Sequence, residues 1–126
     1  MHRKAMADIL VVEDDPTSRH LMAALLSDMG FTVTSTASGD EALQFIYSEE
    51  ACDLLFADIV LPGMSGIELA RHSRAARPGL ATVLVTGKPE ALNEALDAGA
   101  LALPKPVDRE KLAGVLADAL ERDPGE

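Results

Sequence analysis

Glu13, Asp14, Asp58, Thr86 and Lys105 are the residues of this sequence whose types and spacing could do chemistry together. Each lies within two residues of the end of a short apolar run, so each sits where a buried strand would end. Three carboxylates gathered in one place repel, and one of them is driven toward protonation unless a cation intervenes. A donor set of oxygens, with no His or Cys, suits Mg²⁺, which uses one or two carboxylates and keeps several waters. A carboxylate is also a nucleophile toward phosphorus, giving an aspartyl phosphate. The charge that then develops needs a metal, an ammonium and a hydroxyl donor around it. These parts fit phosphoryl transfer onto a carboxylate. Taken singly, the plainer readings are a solvated lysine, a strand-end threonine, a turn acid and a helix N-terminus that favours acids. Their coincidence at successive strand ends is what outweighs those readings.

The elements that must position them follow from pattern. Ile9-Leu10-Val11-Val12 precedes Glu13-Asp14-Asp15, and Leu54-Leu55-Phe56-Ala57 precedes Asp58. Ala81 to Val85 precedes Thr86-Gly87, and Ala100 to Leu103 precedes Pro104-Lys105-Pro106. Continuous apolar runs of this length are strands buried on both faces. Thr32 to Thr36 is β-branched and fits another strand. Between the strands lie helical signals. Asp15-Pro16 is an N-cap followed by proline at the first helical position, with Met22, Leu25, Leu26 and Met29 behind it as an amphipathic stripe that Gly30 stops. Ser38-Gly39-Asp40-Glu41 and Ser65-Gly66-Ile67-Glu68 both read as capping boxes, the second opening a helix that ends near Arg77-Pro78-Gly79. Leu43 and Tyr47 sit one turn apart in the second helix. Pro89 opens a short helix with Leu92 and Leu96 on one side, closed by Gly99. Asp108 caps a last helix carrying Leu112, Val115, Leu116, Ala119 and Leu120. Five strands alternating with five helices predict one doubly wound α/β domain with a parallel sheet. The carboxyl ends of its strands would bring the reactive residues to one rim. Residues 1–7 are expected to be a loose leader, 8–121 the domain, and 122–126 a frayed end.

Composition excludes other classes. With 11 Lys and Arg against 21 Asp and Glu the net charge is −10, which repels nucleic-acid phosphates and anionic lipid. Aromatics are 3% and Trp is absent, so no stacking platform for single strands exists. The lone Cys52 rules out an internal disulfide and reads as a small core thiol. His2, His20 and His72 show no ligand or triad spacing. No run approaches a membrane span and no secretory signal is present, so a cytoplasmic location is expected.

The motifs "ILVVEDD", "ADIVLPGMSG", "VLVTG" and "LPKP", in this order, resemble the receiver domain of the two-component response-regulator family over about residues 8 to 121. The resemblance implies a flavodoxin-like sheet of order 2-1-3-4-5. It implies that Asp58 takes a phosphoryl group from a histidine kinase or a histidine phosphotransfer protein in a Mg²⁺-dependent reaction and relays it by conformational change. Self-phosphorylation from a donor and self-dephosphorylation would then be its chemistry, with no separate substrate turned over. Asp14, Asp58 and the Val60 carbonyl would ligate Mg²⁺, with Glu13 acting through metal-bound water. Thr86 and Lys105 would contact the phosphoryl oxygens, and Lys105-Pro106 would be a cis peptide. A downstream protein would read the surface of helix 4, strand 5 and helix 5. Two departures stand out. Ala102 occupies the position three before the lysine where the family usually has Tyr or Phe, and the stretch from Thr86 to Lys105 is shorter than usual. Ala102 has no χ1 to turn, so the response is expected to run through the backbone around helix four.

Competing functions are weaker. A phosphatase acting on small phosphoesters wants a second acid two positions after the nucleophile, and Val60 stands there. Flavin binding wants a Ser/Thr-rich loop after the first strand, where this chain has Glu13-Asp14-Asp15. A receiver-shaped interaction module that signals without phosphorylation would be marked by loss of the Asp, Thr or Lys, and none is lost.

Overall fold

A computed structural model describes residues 7–121. The expected leader (except Ala7) and the expected frayed end at 122–126 lie outside the described residues. The order is β1 (Asp8–Val12), α1 (Pro16–Asp28), β2 (Thr32–Thr36), α2 (Gly39–Tyr47), β3 (Leu54–Asp58), α3 (Gly66–Ala76) and β4 (Ala81–Thr86). A 3-10 turn (Pro89–Ala91), α4 (Leu92–Asp97), β5 (Leu101–Pro104) and α5 (Arg109–Glu121) complete it. All strand pairs are parallel and the sheet order is β2-β1-β3-β4-β5, the doubly wound arrangement the alternation demanded. The order reverses between β1 and β3, so a crevice opens where Glu13 and Asp58 leave their strands.

The period of two divides β1, β3, β4 and β5 between two cores. Leu10, Val12, Leu55, Ala57 and Leu84 face α2, α3 and α4, where Ile46, Leu69 and Ala95 meet them. Ile9, Val11, Leu54, Phe56, Val83 and Val85 face the other way, against Leu26 of α1 and Leu112 and Leu116 of α5. Every residue of β3 is buried, and each Leu or Phe so buried contributes about 2 kcal/mol. This packing holds the rim still.

Caps set where the helices begin. Asp15 Oδ2 accepts from Ser18 N at 2.8 Å, Asp108 Oδ1 accepts from Glu110 N at 3.2 Å, and Ser65 and Glu68 form a reciprocal box. The expected box at α2 is only half made. Ser38 Oγ accepts from Glu41 N at 3.2 Å, but Glu41 Oε1 accepts from Ala37 N at 2.9 Å, one residue too early for the reciprocal bond. Two helical stripes are also out of phase with expectation: Tyr47 and Leu96 are 62% and 52% exposed, while Ile46 and Ala95 are buried. The fourth helix opens as a 3-10 turn, and β5 runs one residue later than the apolar run suggested, to Pro104. An edge strand tolerates that proline because its outer side has no ladder to supply.

Candidate functional site

Asp58 ends β3 in pairing register with Val85 and is 8% exposed. A buried carboxylate needs partners, and it has one on each oxygen. Oδ1 accepts from Val60 N at 3.0 Å, and Oδ2 accepts from Lys105 Nζ at 2.5 Å. The lysine is delivered by the end of β5, where Lys105 N donates to Thr86 O at 2.8 Å and the Lys105-Pro106 peptide is cis. Lys105 Nζ also lies 3.8 Å from Glu13 Oε1. One ammonium therefore stands between two carboxylates from different strands.

The charges perturb one another. Burial raises the Glu13 pKa and repulsion by Asp58 adds to this, against a lowering from its bond to the Asp15 amide and from Lys105. Burial alone would lower Lys105, but the hydrogen bond and charge of Asp58, with Glu13 and Asp14 behind it, raise it above its ordinary value. Asp15 is lowered by the Ser18 amide it caps, the behaviour of a helix cap. Carboxylates crowded enough to draw a lysine between them fit a small hard cation. Among the described residues no set of three or more acidic, His or Cys side chains is arranged to hold a metal by itself.

The expected residues are not all gathered equally. Glu13, Asp58 and Lys105 line a cleft of about 610 Å³ whose walls are apolar side chains of α1 and of the β5–α5 loop, among them Leu21, Met22, Pro106 and Val107. Asp14 follows Glu13 on the rim and is exposed. Val60 is 57% exposed, one residue beyond Ile59, whose N–H donates to Val85 O and extends the ladder. Thr86 is 1% exposed, and its Oγ1 accepts from Lys88 N at 3.0 Å; the hydroxyl is engaged by the turn ahead of α4. Ala102 sits on β5 opposite Leu84 and packs partly buried on the α4 side. His20 and His72 are exposed, and His2 lies outside the described residues. Cys52 is partly buried, its Sγ 3.6 Å from Leu54 O.

Arg19 is a residue the motifs did not single out. From the first turns of α1 its Nη1 donates to Glu13 O at 2.9 Å and reaches Asp14 O at 3.4 Å, tying down the loop that carries both acids. The only signal in the sequence is a cation one turn after the Asp15 cap.

Known proteins share this sequence pattern and this fold. The family model described as "Response regulator receiver domain" matches residues 9–117. The transcriptional regulatory protein GlrR of Escherichia coli is 30% identical over 119 residues, which is 92% of this chain and 27% of GlrR. The chain thus spans about a quarter of the length of that relative. A response regulator receiver domain protein from Clostridium thermocellum superposes with a TM-score of 0.87 at 27% identity, covering 93% of this chain and 96% of that one. The response regulator TrrA of Thermotoga maritima, solved in complex with Mg²⁺–BeF, matches with a TM-score of 0.83 at 28% identity, over 91% of this chain and all of TrrA.

Proposed function

The chain belongs to the response regulator receiver domain family, and from that premise we propose that residues 8–121 form a receiver whose phosphoryl acceptor is Asp58. The observation that carries the assignment is the buried Asp58 carboxylate, paired at 2.5 Å with an ammonium that Glu13 also approaches, at the floor of an open cleft. In the transfer, a bond forms between an Asp58 oxygen and phosphorus as the P–N bond of a donor phosphohistidine breaks. The electron pair stays on the imidazole nitrogen. Asp14, Asp58 and the Val60 carbonyl would hold Mg²⁺, with Glu13 reaching it through water, and the charge it supplies when bound would offset that of the phosphoryl oxygens. Val60 N–H orients the carboxylate by holding one oxygen. Lys105 leaves its carboxylate partner and follows the negative charge onto the phosphoryl group, and the Thr86 hydroxyl exchanges the Lys88 amide for a phosphoryl oxygen.

The donor is a histidine kinase or a histidine phosphotransfer protein. Leu21, 63% exposed at the mouth of the cleft, with Met22 and Pro106, gives such a partner an apolar footing beside the acceptor. The same reading puts the chain in the cytoplasm, with its response read through α4, β5 and α5. No helix among the described residues is long and apolar enough to cross a membrane. Incubation with phosphoramidate and Mg²⁺ should add one phosphate by intact mass, and Asp58→Asn should add none. Equal labelling of the Asn variant would refute the assignment.

A further inference from the structure

Gly66, the first residue of α3, stands where no side chain fits. A Cβ there would lie 2.2 Å from the Asp58 carbonyl oxygen and 2.9 Å from both the Asp58 carbonyl carbon and Ile59 Cα. All are backbone atoms, so no rotamer change relieves the overlap. The reason for the glycine is space and not conformation, because Gly66 is not among the positive-φ residues. Gly99 differs: what a Cβ would meet there is the guanidinium end of Arg74, the tip of a flexible side chain that also donates to Gly99 O.

The close approach has structure on both sides. Gly66 N donates to Ile59 O at 2.8 Å, and the Ser65–Glu68 box fixes the first turn of α3 beside it. The helix therefore rests directly on the backbone of Asp58 and Ile59. From that same backbone Asp58 Oδ1 turns to accept from Val60 N. We propose that Gly66 is a positioning residue for phosphoryl transfer: its missing side chain lets α3 set the Asp58–Val60 backbone, and through it the aim of the Asp58 carboxylate and the Val60 carbonyl. The inference rests on Asp58 being the acceptor.

Gly66→Ala must move α3 or the Asp58 peptide by a large fraction of an ångström, a misplacement of the order that costs roughly tenfold to a hundredfold in rate. The test compares Gly66→Ala, Gly114→Ala and the double variant with the unchanged protein. Gly114 is an exposed position inside α5 with open space around it, so its alanine adds stability and keeps the double variant folded. Three readouts are taken: the Val60 amide shift and exchange rate without metal, Mg²⁺ affinity, and phosphoramidate labelling per folded molecule. The expected result is a folded double variant with a displaced, less protected Val60 amide. Its Mg²⁺ affinity and labelling rate should both fall by about tenfold or more, while Gly114→Ala alone matches the unchanged protein. A folded Gly66→Ala protein with an unmoved Val60 amide and normal labelling overturns the proposal. So does failure of both Gly66 variants to fold, since the glycine then serves the fold at large. The Val60 comparison needs neither metal nor donor, so it decides the point even if the unchanged protein takes no phosphate, a result that would count against Asp58 instead.

Discussion

Thr86→Val separates what the threonine does for the fold from what it does for signalling. Thr86 is 1% exposed, and its hydroxyl accepts from the Lys88 amide at 3.0 Å. Removing that bond costs about 1 kcal/mol. The same hydroxyl also donates to Lys88 O at a long 3.5 Å, and both groups it releases belong to an exposed residue, which keeps the cost near that figure. Against this, a methyl replaces a hydroxyl in a buried place, which returns about 0.8 kcal/mol, and valine suits a strand at least as well as threonine. The two terms offset to within about 1 kcal/mol, so the midpoint of thermal unfolding should move by no more than about 5 °C. Phosphoramidate labelling should persist, since Asp58 and Lys105 are untouched. The response should not. On the proposed receiver reading, with Ala102 offering no ring to turn, release of the Lys88 amide would carry the response from the phosphoryl group to the 3-10 turn and α4. Amide spectra with and without beryllofluoride and Mg²⁺ read this directly. The parent protein should show shifts at Lys88 and through Glu90 to Asp97; in Thr86→Val the Lys88 shift should already be present without ligand, and Glu90 to Asp97 should stay silent. A variant whose α4 amides respond as the parent's do, or one that melts more than about 10 °C lower, would refute the reasoning.

Asp14→Ala should weaken Mg²⁺ binding by at least about tenfold, whereas Asp15→Ala should leave it nearly unchanged and lower the thermal midpoint through the lost cap on Ser18; a Mg²⁺ titration in the reverse order would mean that the acids have exchanged roles. Burial raises the Cys52 thiol above its ordinary value of 9.0, against a lowering by Arg77, so less thiolate is present at any given pH than in a free thiol. Iodoacetamide modification of the folded protein should therefore still be climbing at pH 9, and a rate that levels below that pH would contradict the burial of this residue.

Four of the strands were legible because their residues are apolar on both faces, and β2 because most of its residues are β-branched. Leu54-Leu55-Phe56-Ala57 must be covered twice, which demands helices above and below and leaves Asp58 at the exit. The caps at Asp15, Ser65 and Asp108 were legible for the same reason: a short polar side chain, a helix former behind it, and backbone amides in need of an acceptor. What escaped the sequence depends on where a side chain turns after the backbone is set. Nothing in the order of residues says that Thr86 Oγ1 faces Lys88, that Glu41 reaches Ala37 in place of Ser38, or that Arg19 reaches back over Glu13 and Asp14. Period alone could not choose between Tyr47 and Ile46, or between Leu96 and Ala95, for the buried face, because in these short helices a single residue changes the phase. Gly66 was visible only as a member of the capping box that opens α3; its contact with the Asp58 carbonyl is a distance between elements, which no local pattern encodes.

An aspartyl phosphate is an acyl phosphate, and borohydride reduces it to the alcohol while leaving free carboxylates alone. Labelling with phosphoramidate and Mg²⁺, reduction and peptide sequencing by mass spectrometry therefore identify the acceptor by position. The account predicts homoserine in place of Asp58 in the labelled protein and no conversion at Glu13, Asp14 or Asp15. An intact Asp58 in phosphorylated protein, with the reduced residue or the phosphate found elsewhere, would contradict it.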